Sequence, residues 1–298
     1  MSKRGKISES AFKYKILIYL ILIIITITVI VPVAWVFMAS IKENSEFYGQ
    51  SPWKLPKGFY YQNFIDAFYN AKMDTYMLNS VIVTALALAL LIIIALPAAY
   101  VLSRYAFKGS KFINTLFMGG LFINVNYIVV PIFLMLVDAD KFLKEVLRLK
   151  NGFFLNNLFV LALVYAATAL PFSIYLLSSY FVTIPKEYEE AAFVDGSGHM
   201  YTMIRIMLPM ARPSIITVIL FNFLAFWNEY IISMTLMTKQ DLKTLPVGLV
   251  RIMATQRAST NYGQLYAGLV MVMLPTLILY IFVQRKLTQG MNIGGIKG

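Results

Sequence analysis

The sequence predicts an all-α integral membrane protein with six transmembrane helices. Three observations carry that prediction. Hydrophobic residues make up 59% of the 298 and charged residues only 13%, whereas soluble domains carry about 25% charged residues. Apolar runs of the roughly 17–25 residues that cross a bilayer recur along the whole chain. Lys and Arg show a shallow bias to the segments between alternate runs, carried mostly by the basic cluster at the first run that begins "MSKRGK".

The first run, 16–38, contains no charged residue. It exceeds the about 7–15 residues of a signal-peptide core, and Pro32 and Trp35 stand where a small-residue cleavage site would be. It therefore reads as a membrane helix whose amino end is cytoplasmic. Further spans are expected at 78–102, 112–137, 155–182, 214–236 and 266–283. An even number of crossings returns the carboxyl end to the cytoplasm. The bases agree: Arg104, Lys108 and Lys111 follow the second span, Lys186, Arg205 and Arg212 follow the fourth, and Arg285, Lys286 and Lys297 follow the sixth.

The net charge of +12 comes from these flanking bases, which form no face interleaved with aromatics. Membrane lipid headgroups, and no nucleic acid, are the expected counterpart. The absence of cysteine excludes disulfides, thiolate metal sites and thiol nucleophiles. His199 is the one histidine, and zinc needs three or four converging ligands, so no metal site is expected.

One polar stretch interrupts the second half, "EEAAFVDGSGHMYTMIRIMLP". Pro185 suits a first helical turn, and Glu187, Glu189 and Glu190 lie at its positive dipole end. Asp195-Gly196 is a helix-ending turn, a second short helix follows over about 198–208, and Pro209 stops or kinks it before Pro213 opens the next span. The stretch reads as a helix–turn–helix on the cytoplasmic side. Its narrow alanine flank, beside a carboxylate, has a shape that can enter a partner's groove.

The order of residues there resembles a known motif. Glu190-Ala191-Ala192, three residues, Gly196, nine residues, Ile206, one residue, Leu208-Pro209 is similar at every fixed position to the EAA loop of ABC importer permeases. "NFIDAF", "YMLNSVIV" with Asn79 and Ser80, "AAYVLSRYAFKG", "FWNEYI" with Trp227, Asn228 and Glu229, "LKTLPVGL" and the tail "GMNIGGIKG" resemble the maltose-type carbohydrate permeases. The segment 138–154 is longer than the resemblance leads one to expect, and "NVNY" departs from the pattern.

The resemblance implies a type I ABC importer permease fold with cytoplasmic EAA coupling helices. It divides the chain into a cytoplasmic segment 1–15, a six-helix permease domain 16–284 with its coupling loop at 183–213, and a cytoplasmic tail 285–298. It also implies one subunit of an ATP-driven importer in a bacterial or archaeal inner membrane. That importer takes a sugar or oligosaccharide from an extracytoplasmic solute-binding protein. The implied partners are a second permease, forming a heterodimer, and a cytoplasmic ABC ATPase dimer that binds ATP and Mg. This chain itself needs no cofactor and is not an enzyme. No GxxxxGK[ST] is present, and Gly196-Ser197-Gly198 lacks the lysine that would reach phosphates. By resemblance, Glu190, Ala191, Ala192, Asp195, Gly196, Ile206, Leu208 and Pro209 couple to the ATPase, and the tail with Gly294, Gly295, Lys297 and Gly298 reaches towards it.

Trp227, Asn228 and Glu229 fall inside an expected span. Ionisable groups there face a cavity or a partner helix, and structural support or gating is favoured over direct sugar contact. The segment about 237–264, with Lys239, Lys243, Arg251 and Arg257 around "TLPVGL", is expected to meet the solute-binding protein, Val247 and Arg251 foremost. The alternatives are a permease for another solute, such as a phosphorylated polyol, and an ion-coupled carrier. A carrier would show internal repeats and several buried ionisable groups. Glu229 stands without a relay, so uptake into vesicles is expected to require ATP and to survive an uncoupler. Uptake that persists without ATP and collapses with the uncoupler would assign the chain to the carriers.

Overall fold

The computed structural model describes residues 3–48, 51–147, 152–256 and 261–294. Among these there is no strand. The helices are α1 (Lys3–Ser40), α2 (Gln62–Ile65), α3 (Met73–Arg104), α4 (Ser110–Gly120), α5 (Val125–Leu147), α6 (Leu158–Thr183) and α7 (Glu187–Val194). They continue with α8 (His199–Thr202), α9 (Leu208–Met210), α10 (Arg212–Trp227), α11 (Ile231–Leu236), α12 (Leu245–Gln256) and α13 (Tyr262–Gly294). Four helical segments, Tyr14–Ser40, Met73–Arg104, Leu158–Thr183 and Tyr262–Gln284, are long and apolar enough to cross a membrane. Two bent pairs, α4 with α5 and His199–Met210 with α10 (75°), bring the candidates to as many as six if each pair is one span.

The sequence expectation of unbroken spans fails at two places. The expected span 112–137 is split between α4 and α5, which meet at 105°. Gly119-Gly120 weakens the end of α4, and the Asn124 side chain accepts a hydrogen bond from the Asn126 N–H, 3.0 Å, as α5 begins. The expected span 214–236 is likewise interrupted. α10 stops after 16 residues and α11 adds 6 more beyond a break at Asn228–Tyr230.

The chain divides into two compact units, 1–71 with 251–273, and 72–250 with 274–298. In the first, the end of α1 organises the loop that follows it. A helix leaves its last carbonyls unmet, and Asn63 donates its amide to the Ser40 and Lys42 carbonyls at 3.0 and 2.7 Å. Trp35 Nε1 and the buried Lys42 ammonium both donate to the Pro52 carbonyl. Tyr266 meets the Trp35 ring edge-on and stacks on Phe47.

In the second unit the largest helix–helix contact is α3 against α6. Val83, Ala87, Leu91, Ala95 and Ala99 recur every four residues along α3 and are all buried. Three of the five are alanines, which let the backbones approach as small residues do in membrane helices. Ala162, Ala166, Ile174, Leu177 and Phe181 supply buried residues of α6, and Ser178 donates across the seam to the Ala99 carbonyl, 3.3 Å. The long segment after α5 is held by Asp140. Its carboxylate accepts the N–H groups of Phe153, Phe154 and Leu155 at 2.6–3.1 Å.

The segment 237–264 differs most from expectation. It contains α12 instead of a continuous loop, and "TLPVGL" is interior. Asn79 donates to the carbonyls of Asp241 and Lys243, Ser80 accepts the Leu245 N–H, and Thr244 bonds Ser233. Val247 is 3% exposed and cannot meet a partner, which corrects the expectation for it. Its apolar neighbours are too few to span a membrane but enough to bury against α3. Lys239 and Arg251 are exposed, Lys243 is half-buried, and Arg257 lies outside the described residues. Gly248 sits against the Tyr76 ring, where an added methyl has no room. Gly248→Ala is expected to lower the thermal unfolding midpoint in detergent through overpacking worth about 1–3 kcal/mol. An unchanged midpoint would show that Tyr76 can move aside.

Candidate functional site

The polar stretch folds as the sequence suggests, with one refinement. α7 carries Glu187, Glu189 and Glu190 in its first turn. It ends in a left-handed residue, Gly196, at φ +81°. The Ser197 N–H reaches back to the Ala192 carbonyl and the Gly196 N–H to the Phe193 carbonyl, 2.9 and 3.0 Å. This pair of bonds is the Schellman arrangement, which glycine accepts without Cβ strain. The second arm runs through α8, a π turn at Met203–Met207 and α9. It extends past Pro209, which lies in the first turn of α9, and gives way at Ala211 to α10.

Adjacent residues on a helix point about 100° apart, and Glu189 and Glu190 divide accordingly. Glu189 is buried together with Ala192, while Glu190, Ala191 and Asp195 are exposed. Arg104 Nε donates to Glu189 Oε2 at 2.7 Å, with the two side chains only 4% and 10% exposed. The Tyr100 hydroxyl donates to Oε1, also at 2.7 Å. Arg104 further reaches the Pro185 carbonyl at 3.4 Å. Tyr105 OH lies 3.2 Å from Tyr100 OH and 3.0 Å from His199 Nδ1, and the His199 ring meets Phe193 at 4.8 Å. Glu189, Arg104, Tyr100 and Tyr105 were not among the site residues that the sequence singled out. The doubled glutamate was the available signal, since side chains about 100° apart on one helix meet different surroundings.

The outward face of the loop is apolar around its acids. Val194 is 87% exposed, and Tyr188, Met200, Tyr201 and Ile204 are also exposed. Ile206 and Leu208 are half-buried and Pro209 is exposed. Beside Glu190, a shallow pocket of about 160 Å³ is lined by Arg104, Tyr105, Lys186, Glu189 and Phe193. The loop thus exposes apolar side chains with the Glu190 carboxylate among them.

The second locus is the break between α10 and α11. Glu229 Oε1 accepts the Ile232 N–H at 2.7 Å, and Oε2 accepts the Ser233 N–H at 3.1 Å and the Tyr165 hydroxyl at 2.6 Å. The carboxylate therefore caps α11 and ties it to α6. Asn228 turns its amide back to the Leu224 carbonyl, and buried Trp227 stacks on Phe223 at 5.7 Å. Between α11 and α12, Lys72 bonds Asp241 at 2.9 Å and holds that carboxyl below its usual range. Among the described residues no three His, Asp or Glu converge as metal ligands. Gly294 closes α13, and Gly295, Lys297 and Gly298 lie outside the described residues.

Helices long and apolar enough to cross a membrane, with no strand among the described residues, make this the architecture of an integral membrane component. The chain belongs to the family of binding-protein-dependent transport system inner membrane components, whose pattern matches residues 92–293. It is a permease subunit of an ABC importer and not an enzyme. It is 36% identical over 265 residues to the diacetylchitobiose uptake system permease protein NgcG of Streptomyces coelicolor, covering 89% of this chain and 83% of that one. Over 237 residues it is 30% identical to the arabinooligosaccharides transport system permease protein AraQ of Halalkalibacterium halodurans, covering 79% of each. A solved bacterial ABC transporter involved in import of the acidic polysaccharide alginate shares the fold at a TM-score of 0.78, covering 96% of this chain and 98% of that one, with 21% identity. The type I permease fold is thereby established.

Glu229→Ala would leave two backbone N–H groups and the Tyr165 hydroxyl without their acceptor, at about 1–3 kcal/mol for each buried group. Its unfolding midpoint is expected to fall well below that of Asn228→Ala, which loses only a bond within its own helix. Equal midpoints would show that α11 does not depend on the cap.

Proposed function

We propose that this permease carries a sugar or oligosaccharide across a bacterial or archaeal inner membrane, with both termini cytoplasmic, and that the 183–213 loop is where an ATPase dimer drives it. The sugar class rests on relatives named for diacetylchitobiose and arabinooligosaccharide uptake. The observation that carries the coupling role is the division of the paired glutamates. Glu189 is spent on α3, while Glu190 stands exposed among apolar side chains. Ala191 keeps that flank narrow, Asp195 and Gly196 make the turn, and Ile206, Leu208 and Pro209 hold the second arm against the start of α10.

In this reading the ATPase supplies the ATP and Mg chemistry, and this chain supplies shape and a carboxylate. Glu190 forms a charge-assisted bond to the ATPase. A second permease completes the pathway as a heterodimer, and a solute-binding protein delivers the sugar from outside. One solved relative of the fold, a bacterial alginate transporter, is in complex with an alginate pentasaccharide-bound periplasmic protein. The functional division is the 1–15 segment, the 16–284 permease domain and the 285–298 tail, with the tail directed to the ATPase interface. Trp227, Asn228 and Glu229 act in gating, because the α10–α11 break they flank is a joint held by side-chain bonds instead of a helical ladder.

Glu190→Ala is expected to leave insertion intact and to uncouple uptake from ATP hydrolysis, because truncating one partner of a desolvated interfacial pair costs about 2–5 kcal/mol. Gly196→Asp should do the same by straining the left-handed turn. ATPase co-purification and sugar uptake in proteoliposomes read both effects. Normal uptake in both variants would remove the coupling role.

A further inference from the structure

The bonds around Glu189 run in one direction only, and that direction determines the state of the single histidine. Paired with Arg104, the Glu189 carboxylate is an acceptor without a proton to give. Its Oε1 therefore takes the one hydroxyl proton of Tyr100. The Tyr100 oxygen must then be the acceptor in its 3.2 Å contact with Tyr105, which takes the one hydroxyl proton of Tyr105. With that proton committed, the Tyr105 oxygen can only accept from His199 Nδ1, 3.0 Å away. A neutral imidazole carries its proton on one nitrogen, and the bond made by that nitrogen sets which one.

We propose that His199 is an Nδ1–H donor at the end of this relay, and that the relay makes Glu189 the positioning residue through which both arms of the 183–213 loop move with the end of α3. Glu189 anchors α7 and His199 anchors α8, and both bonds lead to Tyr100, Arg104 and Tyr105 at the end of α3. Phe193 packs on the His199 ring, so the arms are also joined to each other. The transmission role rests on the reading that this loop docks the ATPase. The proton arrangement does not.

Two measurements test this. The full chain, labelled with [15N]histidine, purified through a histidine-free tag and held in lipid nanodiscs, contains one imidazole. At pH of about 8, above the ordinary imidazole range, its nitrogen shifts should report Nδ1–H. Tyr105→Phe keeps the ring contacts but removes the acceptor, and it should move the ring to the Nε2–H form. An Nε2–H wild type, or shifts that ignore Tyr105→Phe, overturns the relay. In the reconstituted importer, Glu189→Gln should retain the ATPase and lower uptake per ATP about ten-fold, the range of a coupling residue. An unchanged ratio, or loss of the ATPase altogether, overturns the positioning role. If Glu190→Ala instead leaves docking and uptake normal, the docking reading fails while the nitrogen shifts still decide the relay.

Discussion

A carboxylate can leave water only where its charge is opposed and its lone pairs are met. Glu189 satisfies both conditions through Arg104 and Tyr100, and the arrangement of the polar loop follows from it. Because Glu189 must point at the end of α3, α7 has a fixed rotation about its axis. That rotation turns Glu190 and Val194 outward and buries Ala192. The Schellman turn at Gly196 then redirects the chain so that His199 returns to the same cluster. Truncating either member of such a pair would leave the other buried without its partner, so the loop's orientation is tied to this contact.

Glu229 shows the same physics applied to a broken helix. Interrupting a helix in an apolar setting exposes N–H groups that nothing else can satisfy. Glu229 accepts two of them, and Tyr165 completes its coordination. Asn124 and Asn157 do comparable work at the starts of α5 and α6. The polar residues inside this greasy chain are thus largely occupied with its own backbone.

How much of this was legible in the sequence depended on the range of the interaction. Spans came from composition and run length, and the 183–213 helix–turn–helix came from proline, acid and glycine placement. Both are local signals. Breaks were missed because a span-length window keeps an apolar average across "FWNEYI", and hydropathy does not register a side chain bonding the backbone three residues on. Val247 was misjudged because its burial depends on Asn79 and Ser80, far away in sequence. The Glu189 cluster joins residues 85 and 89 positions apart, a pairing that one sequence alone cannot disclose. The EAA spacing did identify the stretch, but it named the outward glutamate and was silent on the inward one.

α3 holds a partner near each end. Asn79 and Ser80 grip the 241–245 turn, and Tyr100 and Arg104 grip α7. Asn79 and Tyr100 are 21 positions apart, which is roughly 32 Å of helix at about 1.5 Å per residue. A rigid rod of that length needs a tilt of only about 5° to displace one end by roughly 3 Å relative to the other. Pro97 lies within the last turns before Tyr100, where it removes one rung of the ladder close to the grip on α7. A small tilt at one end of this helix would thereby displace the other end by ångströms.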